Sequence, residues 1–122
     1  MSKHNELGVR GEITALEFLL QKGYSILEIN WRFNHAEIDI IARVNNTIVF
    51  TEVKTRSSDY FGFPEQAVDN SKQKRMALAA EEYMEQHNIE MNLRFDIISI
   101  LIDPSEKISI EHIEDAFFPY EL

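Results

Sequence analysis

The order of hydrophobic patterns along this chain predicts an α/β fold in which a mixed β-sheet is flanked by helices. Two stretches show the three- and four-residue apolar spacing of amphipathic helices, and five others are rich in β-branched and aromatic residues. Their order is helix, three strands, helix, strand, strand (αβββαββ). Because a helix separates the third strand from the fourth, the chain crosses over between them, and this favours a mixed sheet.

The first helix is predicted from Glu6 to Lys22. Its apolar residues recur at spacings of four, three and four, at Val9, Ile13, Leu16 and Leu20. We expect this stripe to face the core. Gly23 follows as the residue that ends the helix.

A strand and a hairpin are predicted next. Tyr24 to Arg32 is rich in β-branched and aromatic side chains, and Glu37 to Val44 and Ile48 to Arg56 alternate as strands do. Asn45-Asn46 joins the last two, because asparagine tolerates the positive φ of a tight turn. These residues therefore predict an antiparallel hairpin.

The second half of the chain predicts one more helix, two more strands and three short segments. The helix begins at its cap, Ser71, and ends near Gln86. Leu93 to Ile102, the most apolar run, predicts a central strand, and Ile108 to Ile113 predicts an edge strand. The short segments are a loop and two helical turns, at Ser58–Pro64, Glu65–Val68 and Glu114–Phe118 respectively.

Length and composition limit the possible classes of protein. At 122 residues we expect one domain spanning residues 1–122. The chain has no cysteine, no apolar run long enough for a membrane span and no apolar signal-peptide core, so we expect a cytoplasmic protein with no membrane partner. Its 12 Lys+Arg against 21 Asp+Glu give a net charge of −9, which argues against non-specific binding to nucleic acid. A nuclease, however, needs only a local basic track.

Charged residues interrupt the apolar hairpin strands at Asp39, Glu52 and Lys54. A two-residue turn at Asn45-Asn46 places Asp39 opposite Glu52, with Lys54 on the same face. Two carboxylates so close call for a cation, and paired oxygen ligands suit Mg²⁺, with Mn²⁺ as a substitute. The alternative is a solvated strand face, since Glu-x-Lys is common by chance. The apolar flanks favour the metal interpretation, because burying unpaired charge is costly.

Two further glutamates lie near these residues. The same register places Glu37 opposite Lys54. Glu12 lies at the border of the apolar stripe of the first helix, from which it could reach the hairpin. From periodicity alone, an ordinary boundary glutamate is the better interpretation of Glu12.

A basic cluster begins the second helix, where the helix dipole disfavours cations. It consists of Lys72, Lys74 and Arg75. A phosphate partner would explain this placement, and a solvated face screened by nearby acids explains it equally well. Arg56, at the end of a hairpin strand, is either part of the same nucleic-acid-binding track or a strand-end charge.

A series of short motifs runs through nearly the whole chain in a specific order and spacing. They are Gly8-x-x-Gly11-Glu12, Lys22-Gly23-Tyr24, Asn30-Trp31-Arg32, Glu37-Ile38-Asp39-Ile40-Ile41-Ala42, Phe50-x-Glu52-Val53-Lys54-Thr55-Arg56, Phe61-Gly62, Lys72-Gln73, Arg94-Phe95-Asp96 and Ala116-Phe117. Together they resemble the YraN family, a largely uncharacterised bacterial group. One departure is Ala36, which stands where the family usually has glycine.

The resemblance implies a restriction-endonuclease-like fold with a PD-(D/E)XK type of site, similar to that of archaeal Holliday junction resolvases. It implies Asp39 and Glu52 as metal ligands and Lys54 as the catalytic lysine. It also raises Glu12 to the helix carboxylate that assists the metal, and makes Gln73 a supporting polar residue beside the nucleic acid.

We therefore expect a Mg²⁺-dependent endonuclease-like enzyme that hydrolyses phosphodiester bonds in DNA by in-line attack of water. Similarity to resolvases points to branched DNA or repair intermediates, and it allows a homodimer. The competing hypothesis is a non-catalytic nucleic-acid or protein binding module on the same fold, which the acidic charge balance favours. A scaffold for other DNA-processing proteins is a third possibility.

Overall fold

The computed structural model of the protein describes residues 3–57 and 68–118, with side chains from residue 6 onward. These residues form two helices and five strands in the predicted order. Their bounds are α1 Lys3–Gln21, β1 Ser25–Phe33, β2 Ala36–Val44, β3 Thr47–Arg56, α2 Asn70–Gln86, β4 Asn92–Ile102 and β5 Ile108–Ile113. The loop predicted at Ser58–Pro64 and the helical turn predicted at Glu65–Val68 lie outside the described residues, except for Val68, which forms a bend.

The five strands form one sheet in the order β1-β2-β3-β4-β5. β3 and β4 are parallel neighbours joined through α2, whereas the other neighbouring strands are antiparallel. This mixed sheet with two helices confirms the predicted fold class and is consistent with the restriction-endonuclease-like architecture. Within the described residues, no helix is long and apolar enough to cross a membrane.

The core consists of two apolar clusters, one for each helix. The first contains Met76, Ala80 and Tyr83 of α2 together with Phe50 and Phe95 of the sheet. The second contains residues of α1, the sheet and the segment between α1 and β1: Ala15, Leu19, Tyr24, Ile40, Ala42, Val49, Ile98, Ile100 and Ile102. Each helix therefore covers its own part of the sheet, and the charged hairpin residues lie where these apolar clusters end.

The face of α1 that packs against the sheet differs from the predicted one. Val9, Ile13 and Leu20 of the expected core stripe are 46%, 50% and 56% exposed. The buried side instead carries Gly11 and Ala15. The reason is the close approach of α1 to β3, since a Cβ added at Gly11 would lie 1.7 Å from Oγ1 of Thr55. Only small side chains fit at that crossing, so the bulkier stripe faces outward.

The helical turn predicted at Glu114–Phe118 is wrong. Glu114 and Asp115 form a turn, and the residues after it are irregular. Asp115 has a positive φ of 54°, a conformation that does not continue a right-handed helix. Its backbone N–H instead donates a hydrogen bond to Oδ1 of Asp96 at 3.0 Å.

A buried polar network joins β4, β5 and the residue before β1. Its centre is Asp96, whose side chain is fully buried. Nε and Nη2 of Arg94 each donate to this carboxylate at 2.8 Å, and Nε2 of His112 lies 2.7 Å from it. Nη2 of Arg94 also donates to the hydroxyl of Tyr24 at 2.7 Å. The fold therefore satisfies this buried charge with its own side chains.

Candidate functional site

The hairpin of β2 and β3 has the predicted turn and register. Asn45 has a positive φ of 52°, and the paired residues run from Val44 opposite Thr47 to Ile40 opposite Thr51. The regular strand pairing ends there, next to Asp39. The backbone N–H of Val53 donates instead to Oδ2 of Asp39, at 2.8 Å.

The inward and outward alternation of β2 also changes at Asp39. Ile38 and Ile41 belong to the apolar cluster of α2, whereas Ile40 and Ala42 belong to the cluster of α1. Strict alternation would put Ile38 with Ile40. The strand is therefore irregular at this point, and its irregularity coincides with the carboxylate that replaces a ladder hydrogen bond.

The carboxyl groups of Asp39 and Glu52 lie within hydrogen-bonding distance of each other. Burial raises the pKa of Asp39, and the charge of Glu52 raises it further. The hydrogen bond from Val53 lowers the pKa, while the charge of Glu12 raises it, and the result is a pKa of about 7. The two acids are thus close together, as predicted. Their buried environment disfavours two negative charges at this position.

Glu12 of α1 belongs to the same group of carboxylates. Burial raises its pKa, a hydrogen bond with the Asn30 side chain lowers it, and the charges of Glu37 and Glu52 raise it, with a net increase. Oε1 of Glu12 is buried and has no hydrogen-bond partner in the part of the chain that the structure describes. Glu12 is thus a half-buried residue at the border of α1 whose carboxyl group interacts with the charges of the hairpin.

Asn30 interacts with Glu12, a contact that the sequence reasoning did not predict, since it quoted Asn30 only as part of the Asn30-Trp31-Arg32 motif. It lies within β1 with a positive φ of 53°, a conformation that asparagine adopts more readily than most residues. Its side chain hydrogen-bonds with Glu12. The sequence feature that could have indicated this contact is the asparagine between the apolar residues Ile29 and Trp31 of β1.

The simple register predicted that Glu37 lies opposite Lys54. In the structure, Glu37 pairs with a residue of β1 instead. Arg32 is its cross-strand partner on β1, and Nε of Arg32 donates to Oε2 of Glu37 at 2.6 Å. Lys54 is exposed and lies beside Ser99 of β4. It shares the face of Glu52, as expected from their spacing, but it does not line the cleft around the two acids.

Lys72 of α2 reaches the acids from the other side. Its Nζ forms an ion pair with Oε2 of Glu52, whose side chain is only 8% exposed. The helix starts beside the site because Asp69, rather than the predicted Ser71, is its N-cap and accepts a hydrogen bond from the N–H of Lys72 at 2.9 Å. Lys72 thus contributes to the acidic site rather than to a solvated basic track.

A cleft of about 220 Å³ opens over these groups. It is lined by His35, Ala36, Glu37, Asp39, Glu52, Lys72, Arg75 and Met76. Of the other predicted nucleic-acid-binding residues, Gln73 donates to the carbonyl of Val68 at 3.3 Å, Lys74 is exposed, and Arg56 is half-buried at the end of β3. The structure therefore brings Lys72 and Arg75 to the cleft, whereas Gln73, Lys74 and Arg56 do not line it.

These residues have the chemistry of a site for a small hard cation. Mg²⁺ and Mn²⁺ prefer oxygen ligands, and Mg²⁺ commonly uses one or two carboxylates with water and phosphate. Asp39 and Glu52 supply such a pair, and Oε1 of Glu12 is buried without a hydrogen-bond partner among the described residues. No three His, Asp or Glu side chains of residues 3–57 and 68–118 already form a metal-binding group. The residues thus fit a cation that is bound through few protein ligands.

Comparison with known proteins identifies relatives over nearly the whole chain. A UPF0102 protein of Flavobacterium psychrophilum is 48% identical over 120 residues, which are 98% of this chain and 100% of that protein. One of Bacteroides thetaiotaomicron is 46% identical over 119 residues, 98% of each chain. One of Christiangramia forsetii is 45% identical over 118 residues, 97% of this chain and 98% of that protein.

The model of the uncharacterised protein family UPF0102 matches residues 11–100, a stretch that includes Glu12, Asp39, Glu52, Lys54 and Lys72. This confirms the family resemblance inferred from the motifs. The chain belongs to the uncharacterised protein family UPF0102, the YraN family.

Proposed function

We propose that this chain is a metal-dependent nuclease that hydrolyses phosphodiester bonds in DNA. The observation that carries the proposal is the buried contact between the carboxyl groups of Asp39 and Glu52, where burial and then the charge of Glu52 raise the pKa of Asp39 to about 7. A fold does not keep two acids together at this cost without a compensating cation or a function. A phosphate with Mg²⁺ or Mn²⁺ is the ligand that best fits this demand.

Asp39 and Glu52 are the proposed holders of the cation, and Glu12 assists from α1. A bound Mg²⁺ polarises a phosphoryl oxygen and favours attack by water at neutral pH. Glu12 retains a buried oxygen without a partner in the described part of the chain, so it is suited to accept a proton or a hydrogen bond from that water. The acids thereby orient the reactants beside the strand.

The basic residues have separate roles in this proposal. Lys54 is exposed on β3, on the face that carries Glu52 but outside the lining of the cleft, so its ammonium group would reach the phosphate from the solvent side and offset the charge that develops on it. Arg75 lines the cleft, and its guanidinium can bind a phosphate through two hydrogen bonds. Lys72 neutralises Glu52 until a metal cation takes over that role.

The test is cleavage of branched, duplex and single-stranded DNA with Mg²⁺ or Mn²⁺. We expect metal-dependent cleavage by the wild type and a loss of about a hundredfold or more in Asp39→Asn and Glu52→Gln, because both changes remove a ligand charge without changing shape. Glu111→Gln, at an exposed acid of β5, is the matched control and should cut normally. Absence of cleavage by the wild type on every substrate would contradict the proposal.

A non-catalytic binding module is the second candidate, and two observations favour it. The net charge is −9, and Lys72 already compensates Glu52 without a metal. Calorimetric titration with Mn²⁺ separates the two candidates, because only the enzyme requires an affinity that is lost in Glu52→Gln. The leading proposal also includes a cytoplasmic location for the protein and a homodimer, for which sedimentation velocity is the direct test.

A further inference from the structure

A second, mainly apolar pocket adjoins the carboxylate cleft. Its volume is about 190 Å³, and it is lined by Phe33, Asn34, His35, Ala36, Arg75 and Leu78. Three of these residues, His35, Ala36 and Arg75, also line the cleft. The two cavities therefore adjoin each other, and Arg75 contributes to the lining of both.

The pocket is built by the turn between β1 and β2 and by one side of α2. Asn34 has a positive φ of 55° and, with His35, forms the tight turn that places Phe33 opposite Ala36. The ring of Phe33 stacks on Trp31, with centroids 6.3 Å apart and planes 12° apart. An aromatic ring that is fixed in this way forms a rigid wall.

Leu78 forms the facing wall, although core packing does not account for its position. It is 61% exposed, the largest value among the exposed large apolar residues that the structure describes. It follows Arg75 by three positions on α2, so that both side chains lie on the same side of the helix. A ligand that has an apolar part beside an anionic part would contact both residues.

The chemistry of such a ligand is that of a nucleotide. A nucleobase is flat and presents apolar faces, which suits a pocket walled by Phe33 and Leu78. The phosphate attached to it would lie towards Arg75 and the carboxylate cleft. A base in an intact duplex remains stacked and paired and cannot enter, whereas an unpaired base enters at little cost.

We propose that this pocket receives one unpaired nucleobase of the DNA strand whose phosphate lies in the carboxylate cleft. The inference rests on the proposed function, since it takes DNA as the ligand of the cleft. It narrows the substrate class to DNA with an unpaired nucleotide beside the phosphate that is cut. Leu78 and Phe33 thereby become specificity residues.

The test compares three DNA probes: a fully paired duplex, the same duplex with one bulged thymidine, and the same bulge without its base. Binding is measured by fluorescence anisotropy with Ca²⁺, and cleavage is measured separately with Mg²⁺. We expect the wild type to bind the thymidine bulge about tenfold more tightly than the abasic bulge, because only the former supplies a base to stack.

Leu78→Ser should remove this preference and leave affinity for the abasic bulge unchanged, whereas Leu78→Phe should keep it. Leu20→Ser is the matched control, because Leu20 is similarly exposed, at 56%, and lies on α1. Equal binding of the two bulges by the wild type, or a preference that survives in Leu78→Ser, overturns the inference.

The same measurements separate this inference from the proposed function. Cleavage without a preference for the base contradicts the pocket alone. A preference that Leu78→Ser removes, without cleavage by the wild type, supports the pocket and contradicts only catalysis. Failure to bind any of the three probes contradicts both.

Discussion

Asp39 and Asp96 lie on two strands of one sheet, β2 and β4, which are separated by β3. Their carboxyl groups have opposite environments. Asp96 is fully buried and receives hydrogen bonds from Arg94, His112 and the N–H of Asp115. Asp39 receives one backbone hydrogen bond and faces another acid. The fold supplies the first carboxylate with several hydrogen-bond donors, whereas it supplies the second with one donor and a neighbouring acid.

The pKa values of the two groups express this difference. Burial alone raises the pKa of Asp96, but hydrogen bonds from His112, Arg94 and Asp115 outweigh burial and the pKa is lowered. Burial and the charge of Glu52 raise that of Asp39 to about 7. Burial therefore does not distinguish a structural carboxylate from a candidate functional one, and the partners do.

The largest expected effect is that of Asp96→Ala. It leaves the charge of Arg94 and the ring nitrogen of His112 without their buried partner, and a broken buried pair costs about 3–5 kcal/mol in free energy of unfolding. Urea denaturation measures this loss. The exposed change Glu111→Ala is the control, with an expected effect within about 0.5 kcal/mol. Similar midpoints for Asp96→Ala and the wild type would show that the network is not a structural brace.

Asp39→Asn should have the opposite sign. At pH 8 without divalent cations it should raise the free energy of unfolding by on the order of 2 kcal/mol, because it removes a charge that is buried beside Glu52. Mg²⁺ should reduce the gain, since the cation stabilises only the wild-type pair. Thermal and urea unfolding of both proteins, with and without Mg²⁺, measure the difference. A destabilised Asp39→Asn protein would mean that the carboxylate is structural, like Asp96.

The pH dependence of stability should separate the two aspartates. Because the folded pKa of Asp39 is raised to about 7, its contribution is fully present below the unfolded pKa near 4 and is lost as pH rises through 7. The slope is at most about 1.4 kcal/mol per pH unit. Asp96 has a lowered pKa, so its contribution is present above the unfolded value and is lost as pH falls through the folded one. Urea midpoints from pH 3 to 9 should show both losses in the wild type, but only the acid loss in Asp39→Asn.

The smallest expected effect concerns the ammonium group of Lys72, which pairs with Glu52. Lys72→Met removes the ammonium group from Glu52 and should raise Mn²⁺ affinity about threefold, because metal and lysine compete for the same carboxylate. Isothermal titration calorimetry measures the affinity. Lys74→Met is the matched control, since Lys74 is exposed and is not among the residues that line the cleft. Equal Mn²⁺ affinities in the two variants would show that Lys72 does not compete with the metal for Glu52.

The parts of the site that depend on local chemistry could be predicted from the sequence. Turn residues and strand periodicity were sufficient for the hairpin, and hence for the meeting of Asp39 and Glu52. The position of Glu12 was not derivable from periodicity, because the buried face of α1 is set by contact of Gly11 with Thr55, which is distant in sequence. The family resemblance identified Glu12 where the pattern did not.

Contacts between distant elements explain the remaining differences. Lys72 meets Glu52 only after α2 has crossed over the sheet, so its spacing in the helix indicated a basic face and not an acidic partner. The hydrogen bond between Tyr24 and Arg94 spans 70 positions. The direction of a side chain on a helix can be predicted from the local sequence. The residue that it contacts is determined by how the elements pack.

In the proposed metal site, the ion pair between Lys72 and Glu52 would also separate folding from metal loading. A metal site whose acids have no internal counter-charge assembles only as the metal arrives, and chelators then unfold the protein. Here an ammonium group occupies that electrostatic role in advance. The chain should therefore reach its native state in magnesium-free buffer, and a later rise in magnesium would act by substitution within a finished cleft. Metal availability would then set the timing of activity and leave the amount of folded protein unchanged.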